Sequence, residues 1–97
     1  MVYVWMASWR PNVTREQSDA ALMRRAQWQY PEGIKVLSEY WLTGSPAVIV
    51  TLEADSYAPL MELGLTWGDV FEIVCTPATT PEEGLKYGAE ILARRPA

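Results

Sequence analysis

Side chains able to do chemistry are few in this 97-residue chain: twelve carboxylates, eight Lys and Arg, one cysteine and no histidine. Without histidine there is no imidazole general base, no Ser-His or Cys-His nucleophile pair, no proximal haem ligand and no common zinc or iron site. Cys75 has no partner for an intramolecular disulfide. Its neighbours Val74 and Thr76 bring no positive charge to lower its pKa, so it reads as a buried structural thiol. Oxygen-only ligation of a hard cation lacks any spaced motif. No metal or cofactor is expected, and no residue can be named as catalytic.

The remaining candidates are aromatic and acidic. Tyr3, Trp5, Trp9 and Trp41 fall on the first and second strands, which flank the third in this topology, and could line one surface, either as a cleft for a flat hydrophobic molecule or as filling for a sheet-to-sheet interface. Trp67, Gly68 and Asp69, in "TWGDVFEIVCTP", could rim such a cleft, with Trp67 closing over an apolar ligand and Asp69 accepting a hydrogen bond. The plainer alternative is a turn into the last strand, with Trp67 in the core. Glu39, Glu53 and Glu72 are strand carboxylates. Two of them converging in a dry interior would give one a raised pKa and a proton-shuttle role; otherwise all three are solvated. The ligand-binding set is therefore Tyr3, Trp5, Trp9, Trp41, Trp67, Asp69 and Glu72.

The elements that must position these residues follow from periodicity and punctuation. Residues 2–9 alternate as a strand. Thr14 with Gln17 fits a capping box opening a helix over about 14–29, which Pro31 and Gly33 end. "IKVLSEYWL" and "AVIVTLE" are strands joined through "TGSP". "ADSYAPLMELGL" is a second helix, with Pro59 tolerated near its first turn. Residues 66–77 make the fourth strand. Thr80 and Pro81 then open a third helix, with Arg94 and Arg95 in its last turn complementing the dipole. The order is β-α-β-β-α-β plus a helix: an α+β, ferredoxin-like fold with a four-stranded antiparallel sheet. It forms one domain over residues 1–97, with a βαββαβ core at 1–78 and a C-terminal helix at 79–97.

Hydrophobic residues make 49% of the chain and the net charge is −4, which suits a globular domain and gives a nucleic-acid backbone no electrostatic footing. The doublets Arg24-Arg25 and Arg94-Arg95 are expected on solvated helix faces. No run approaches the roughly 20 apolar residues of a membrane span, and the N-terminal run lacks a signal peptide's basic region; a cytoplasmic protein is expected. Two helices cover one side of a four-stranded sheet. Here the first strand is aliphatic on one parity (Val2, Val4, Met6) and aromatic on the other, so both faces ask for cover. Either a second copy stacks its sheet on this one, or the third helix, carrying Leu85, Tyr87, Ile91 and Leu92, folds over its own chain.

With its "SWRP" step, its "PEGIKVL" entry to strand two and its Trp-x-Asp turn into a strand ending at proline, the chain resembles the dimeric α/β-barrel superfamily over about residues 1–80. It is most similar there to small uncharacterised bacterial and archaeal proteins. The resemblance implies a homodimer or higher homo-oligomer paired through its sheets. It makes a cofactor-independent monooxygenase- or isomerase-like activity conceivable; that branch often uses an Asn, a Trp and a histidine around a planar aromatic substrate, and of these only Trp and Asn12 are available here. The haem-binding branch relies on a histidine that this chain lacks. Two expectations follow. One is a binder, or an enzyme, for a small apolar or aromatic molecule. The other is a non-catalytic assembly or interaction subunit whose aromatic sheet face serves oligomerisation.

Overall fold

In the computed structural model, which describes residues 1–96, the elements run β1 (Val2–Trp9), α1 (Arg15–Gln27), β2 (Ile34–Trp41), β3 (Val48–Ala54), α2 (Ala58–Trp67), β4 (Phe71–Ala78) and α3 (Pro81–Ala93). The strands form one open antiparallel sheet in the order β2-β3-β1-β4. This is the ferredoxin-like α+β arrangement.

Local chemistry sets most boundaries. The Thr14 hydroxyl accepts from the Gln17 backbone N–H at 3.1 Å, and the Gln17 side chain accepts from the Thr14 N–H at 2.8 Å. This reciprocal capping box starts α1. Thr80 caps α3 with its hydroxyl, which accepts from the Glu83 N–H without the reciprocal bond, with Pro81 in the first turn. The second helix runs later than the sequence suggests. It begins at Ala58 and keeps residues 66 and 67, so β4 starts only at Phe71. The helical period explains this, because Leu60, Leu63 and Trp67 then share the face turned to the sheet. Arg94 caps the C-terminus of α3 and Arg95 lies beyond it, so neither falls in the last turn.

Strand register assigns the two faces. Trp5 lies opposite Val50 on β3 and Cys75 on β4, and Ala7 opposite Val48 and Ile73. Tyr3, Trp5, Ala7 and Trp9 therefore face α1 and α2. The core on that side holds Trp5, Ala7, Val50, Leu52, Ala54, Leu63, Trp67 and Phe71. The aromatic parity is thus the covered one, and the open face is aliphatic and polar, with Val2, Val4, Met6, Ile49, Thr51, Tyr40 and Val74. The open face therefore offers Val, Ile and Met together with Tyr40, while the tryptophans of β1 and β2 lie on the helix side.

Strand β2 departs from simple alternation. Val36 pairs with Leu52, but Ser38 pairs with Thr51, leaving Leu37 as an extra residue in a bulge. Downstream of it, Glu39 and Trp41 lie opposite Val50 and Val48 and so point to the helix side, while Ser38 and Tyr40 point outward. Without the bulge the two sets would exchange faces.

Helix α3 does not cover its own sheet. None of its residues is buried, and Leu85 is 77% exposed. The radius of gyration is 16.8 Å and the longest extent 59 Å, against about 13 Å for a closed chain of about 100 residues. The helix extends the molecule rather than closing it.

Two further expectations change. Arg24 and Arg25 are half-buried and each forms an ion pair. Arg24 grips Asp69 with two hydrogen bonds of 3.1 and 2.8 Å and donates to the Thr66 carbonyl at 2.7 Å, tying α1 to the end of α2. Each partner stabilises the other's charge: the hydrogen bond from Arg24 holds the Asp69 carboxyl below its usual value, and Asp69 raises Arg24. Cys75 is exposed, in the middle of edge strand β4. Partial desolvation pushes its thiol pKa up, which keeps it protonated and weakly nucleophilic.

The α2–β4 turn is a tight contact. A Cβ on Gly68 would stand 2.6 Å from the Gly64 carbonyl oxygen, a backbone atom that cannot yield independently. Gly68→Ala is expected to lower stability by about 1–2 kcal/mol, read as a lower urea midpoint at unchanged slope.

Candidate functional site

A cavity of about 310 Å³, open to solvent on one side, lies between α1 and the sheet. Small side chains create it. Helix α1 turns Ser18, Ala21, Arg25 and Trp28 to the sheet at helical spacing. Ser18 and Ala21 on the helix, and Ala47 just before β3, line it with small side chains that leave space larger aliphatics would close. The walls are then set by residues from every side, Leu63, Trp67 and Phe71 among them.

Trp5, Trp9, Trp28, Trp41 and Trp67 all border this one cavity, and the sequence contains five tryptophans in total. The rings are interlocked rather than scattered. Trp28 meets Trp67 edge-on at 5.5 Å and Tyr30 at 4.6 Å; Trp9 stacks on Phe71 at 4.3 Å. Mutual packing of this kind adds about 0.5–1.5 kcal/mol per pair beyond area burial and fixes ring orientation.

A polar cluster stands at one edge. Glu39, aimed inward by the bulge, accepts from the Tyr30 hydroxyl at 2.7 Å and from Arg25 at 3.1 Å through Oε1, and from the Trp41 indole N–H at 2.7 Å through Oε2. Desolvation pushes its pKa up, but the three donors together outweigh that and hold the carboxyl below its usual range. Tyr30 moves the opposite way: burial and the neighbouring carboxylate raise its phenol far above the physiological range. Arg25 lies 5.4 Å above the Trp28 ring and 5.5 Å above Tyr30. Near neutrality the cluster is a fixed carboxylate, a protonated phenol and a guanidinium.

Of the residues singled out in the sequence, the structure brings Trp5, Trp9, Trp41 and Trp67 together. Tyr3 shares their face but packs into the core further along β1. Asp69 lies outside the cavity lining, on Arg24, and Glu72 lies opposite Ser8 on the open face. The three strand carboxylates do not converge, since Glu53 pairs with Lys35 and Val2 on that same open face. Sequence reasoning missed Arg25, Trp28 and Tyr30. The signal for them was present as Ser18, Ala21, Arg25 and Trp28, spaced to share one face of α1. Among the described residues no group of three His, Cys, Asp or Glu is placed to hold a metal ion, and no helix is long and apolar enough to cross a membrane.

A family model described as a domain of unknown function (DUF3303) matches residues 1–92. The chain belongs to the DUF3303 family. No curated protein matches it. The DUF3303 match takes in every strand, α1, α2 and nearly all of α3, so the cavity and its polar edge lie wholly inside the family domain.

Proposed function

We propose that this DUF3303 domain binds a small, flat, apolar or aromatic molecule between α1 and the sheet. One observation carries the reading: every tryptophan of the chain borders a single cavity whose volume, about 310 Å³, sits at the lower end for small-molecule sites. A fold needing only a core would have filled that space with aliphatic side chains. The geometry favours binding over a monooxygenase- or isomerase-like reaction, because the Glu39 carboxylate is already engaged by three donors and its lowered pKa makes it a poor proton acceptor. Titration with naphthalene-sized aromatics is expected to quench the indole fluorescence saturably. Absence of quenching up to millimolar probe would discard the reading.

Self-association belongs to the same proposal and makes the protein a member of the dimeric α/β-barrel group. Its support is the uncovered aliphatic face of the sheet together with α3, on which Leu85, Tyr87, Ile91 and Leu92 are each at least half exposed. A second copy of the chain, sheet against sheet with α3 reaching across, buries both. An exposed unpaired thiol at Cys75 fits a reducing, cytoplasmic setting. Native mass spectrometry is expected to give twice the 11.0 kDa chain mass, and Val4→Glu on the open face should return the monomer. A monomeric wild type at high concentration removes this half of the proposal.

A further inference from the structure

The charges around the cavity are unequal. Two carboxylates, Asp19 and Glu39, border it against one guanidinium, Arg25. The Glu39 carboxyl stays ionised, since its hydrogen bonds hold its pKa low. The rings are also shown to accept a positive charge, because Arg25 already lies over Trp28 and Tyr30 at 5.4 and 5.5 Å. No guanidinium stands over Trp5, Trp9 or Trp41 among the described residues, and of these Trp9 and Trp41 are 42% and 59% exposed, which leaves indole surface at the cavity for a second cation.

Resting on the binding reading above, we infer that the occupant is a flat organic cation, a protonated or quaternary aromatic amine. Its ring system lies among the indoles and its charge is held by ring quadrupoles and by the Glu39 and Asp19 carboxylates. Ring faces attract cations within about 6 Å of the centroid, more strongly where water is excluded. A neutral molecule of the same shape gains the apolar contact alone. An anion gains that contact but meets the net negative edge, and the Arg25 guanidinium it would pair with is already shared with Glu39.

The test is calorimetric titration with three bicyclic probes of matched size at neutral pH: neutral quinoline, N-methylquinolinium and 2-naphthoate. The quinolinium is expected to bind about tenfold more tightly than quinoline, and the naphthoate more weakly than either. Asp19→Asn should lower quinolinium affinity about threefold. Arg25→Gln should raise it by a similar factor, since Tyr30 and Trp41 continue to hold Glu39. Both variants should change the ratio of quinolinium to quinoline affinity, in opposite directions, whereas general damage to the site would weaken all three probes alike. Equal binding of quinoline and quinolinium, or preference for naphthoate, overturns the cation inference while leaving the cavity reading intact. No binding by any probe overturns both.

Discussion

Trp67→Ala is expected to lower the unfolding free energy by about 3–5 kcal/mol, most of what a domain of this size has to lose. Trp67 is only 5% exposed, and its ring is contacted from three sides. Trp28 meets it edge-on, Phe71 lies 6.2 Å away, and the Arg24 guanidinium sits 5.0 Å over its face. Alanine would merge the vacated space with the cavity beside it, and the neighbours could not collapse inward, because α1 is pinned by Arg24 to Asp69. Urea unfolding followed by circular dichroism measures the loss. Trp67→Phe, which keeps a ring, should fall less than half as far. Equal losses for Phe and Ala would show that the ring packing is not what holds α2 to the sheet.

Glu39→Ala is expected to cost about 2–3 kcal/mol near neutral pH, although the group lies on a strand beside the hairpin. The deletion strands the Tyr30 hydroxyl, the Trp41 indole N–H and the Arg25 guanidinium at once, and orphaned donors lose their full solvation when partly buried. The pH dependence separates charge from shape. The fold holds the Glu39 pKa below its unfolded value near 4.5. Its contribution is therefore present in full above that value and is lost as the pH falls through the folded pKa. Glu39→Gln should be less stable than wild type at pH 7, and the gap should close on acidification below about pH 4.5. A gap constant down to pH 3 would show that the carboxylate charge contributes nothing.

Neither residue's role was legible to the same degree. Trp67 invited an inward reading because tryptophan seldom sits on water, but whether it walled a site or filled a core depended on what lay across from it. For Glu39 the sequence left an interior and a solvated carboxylate both open. Strict alternation groups it with Lys35 and Leu37, and only the extra residue at Leu37 puts it on the opposite face from Lys35, with the helices. A bulge changes the register of two strands and leaves no compositional mark in "IKVLSEYW". Arg24 and Arg25 were opaque for a similar reason: a basic doublet looks the same whether it meets solvent or two carboxylates from distant elements.

By itself the amino-acid sequence determined the order of strands and helices, the capped starts of α1 and α3, and the exclusion of imidazole chemistry. These rest on interactions within a few residues: side-chain periodicity, reciprocal caps, proline and glycine punctuation. The tertiary structure decided which sheet face took the helices, that five tryptophans surround one cavity, and that α3 leaves its own sheet bare. Each of those depends on pairings between residues far apart in the chain, whose geometry is set by register, bulge and the volume of facing side chains rather than by local pattern.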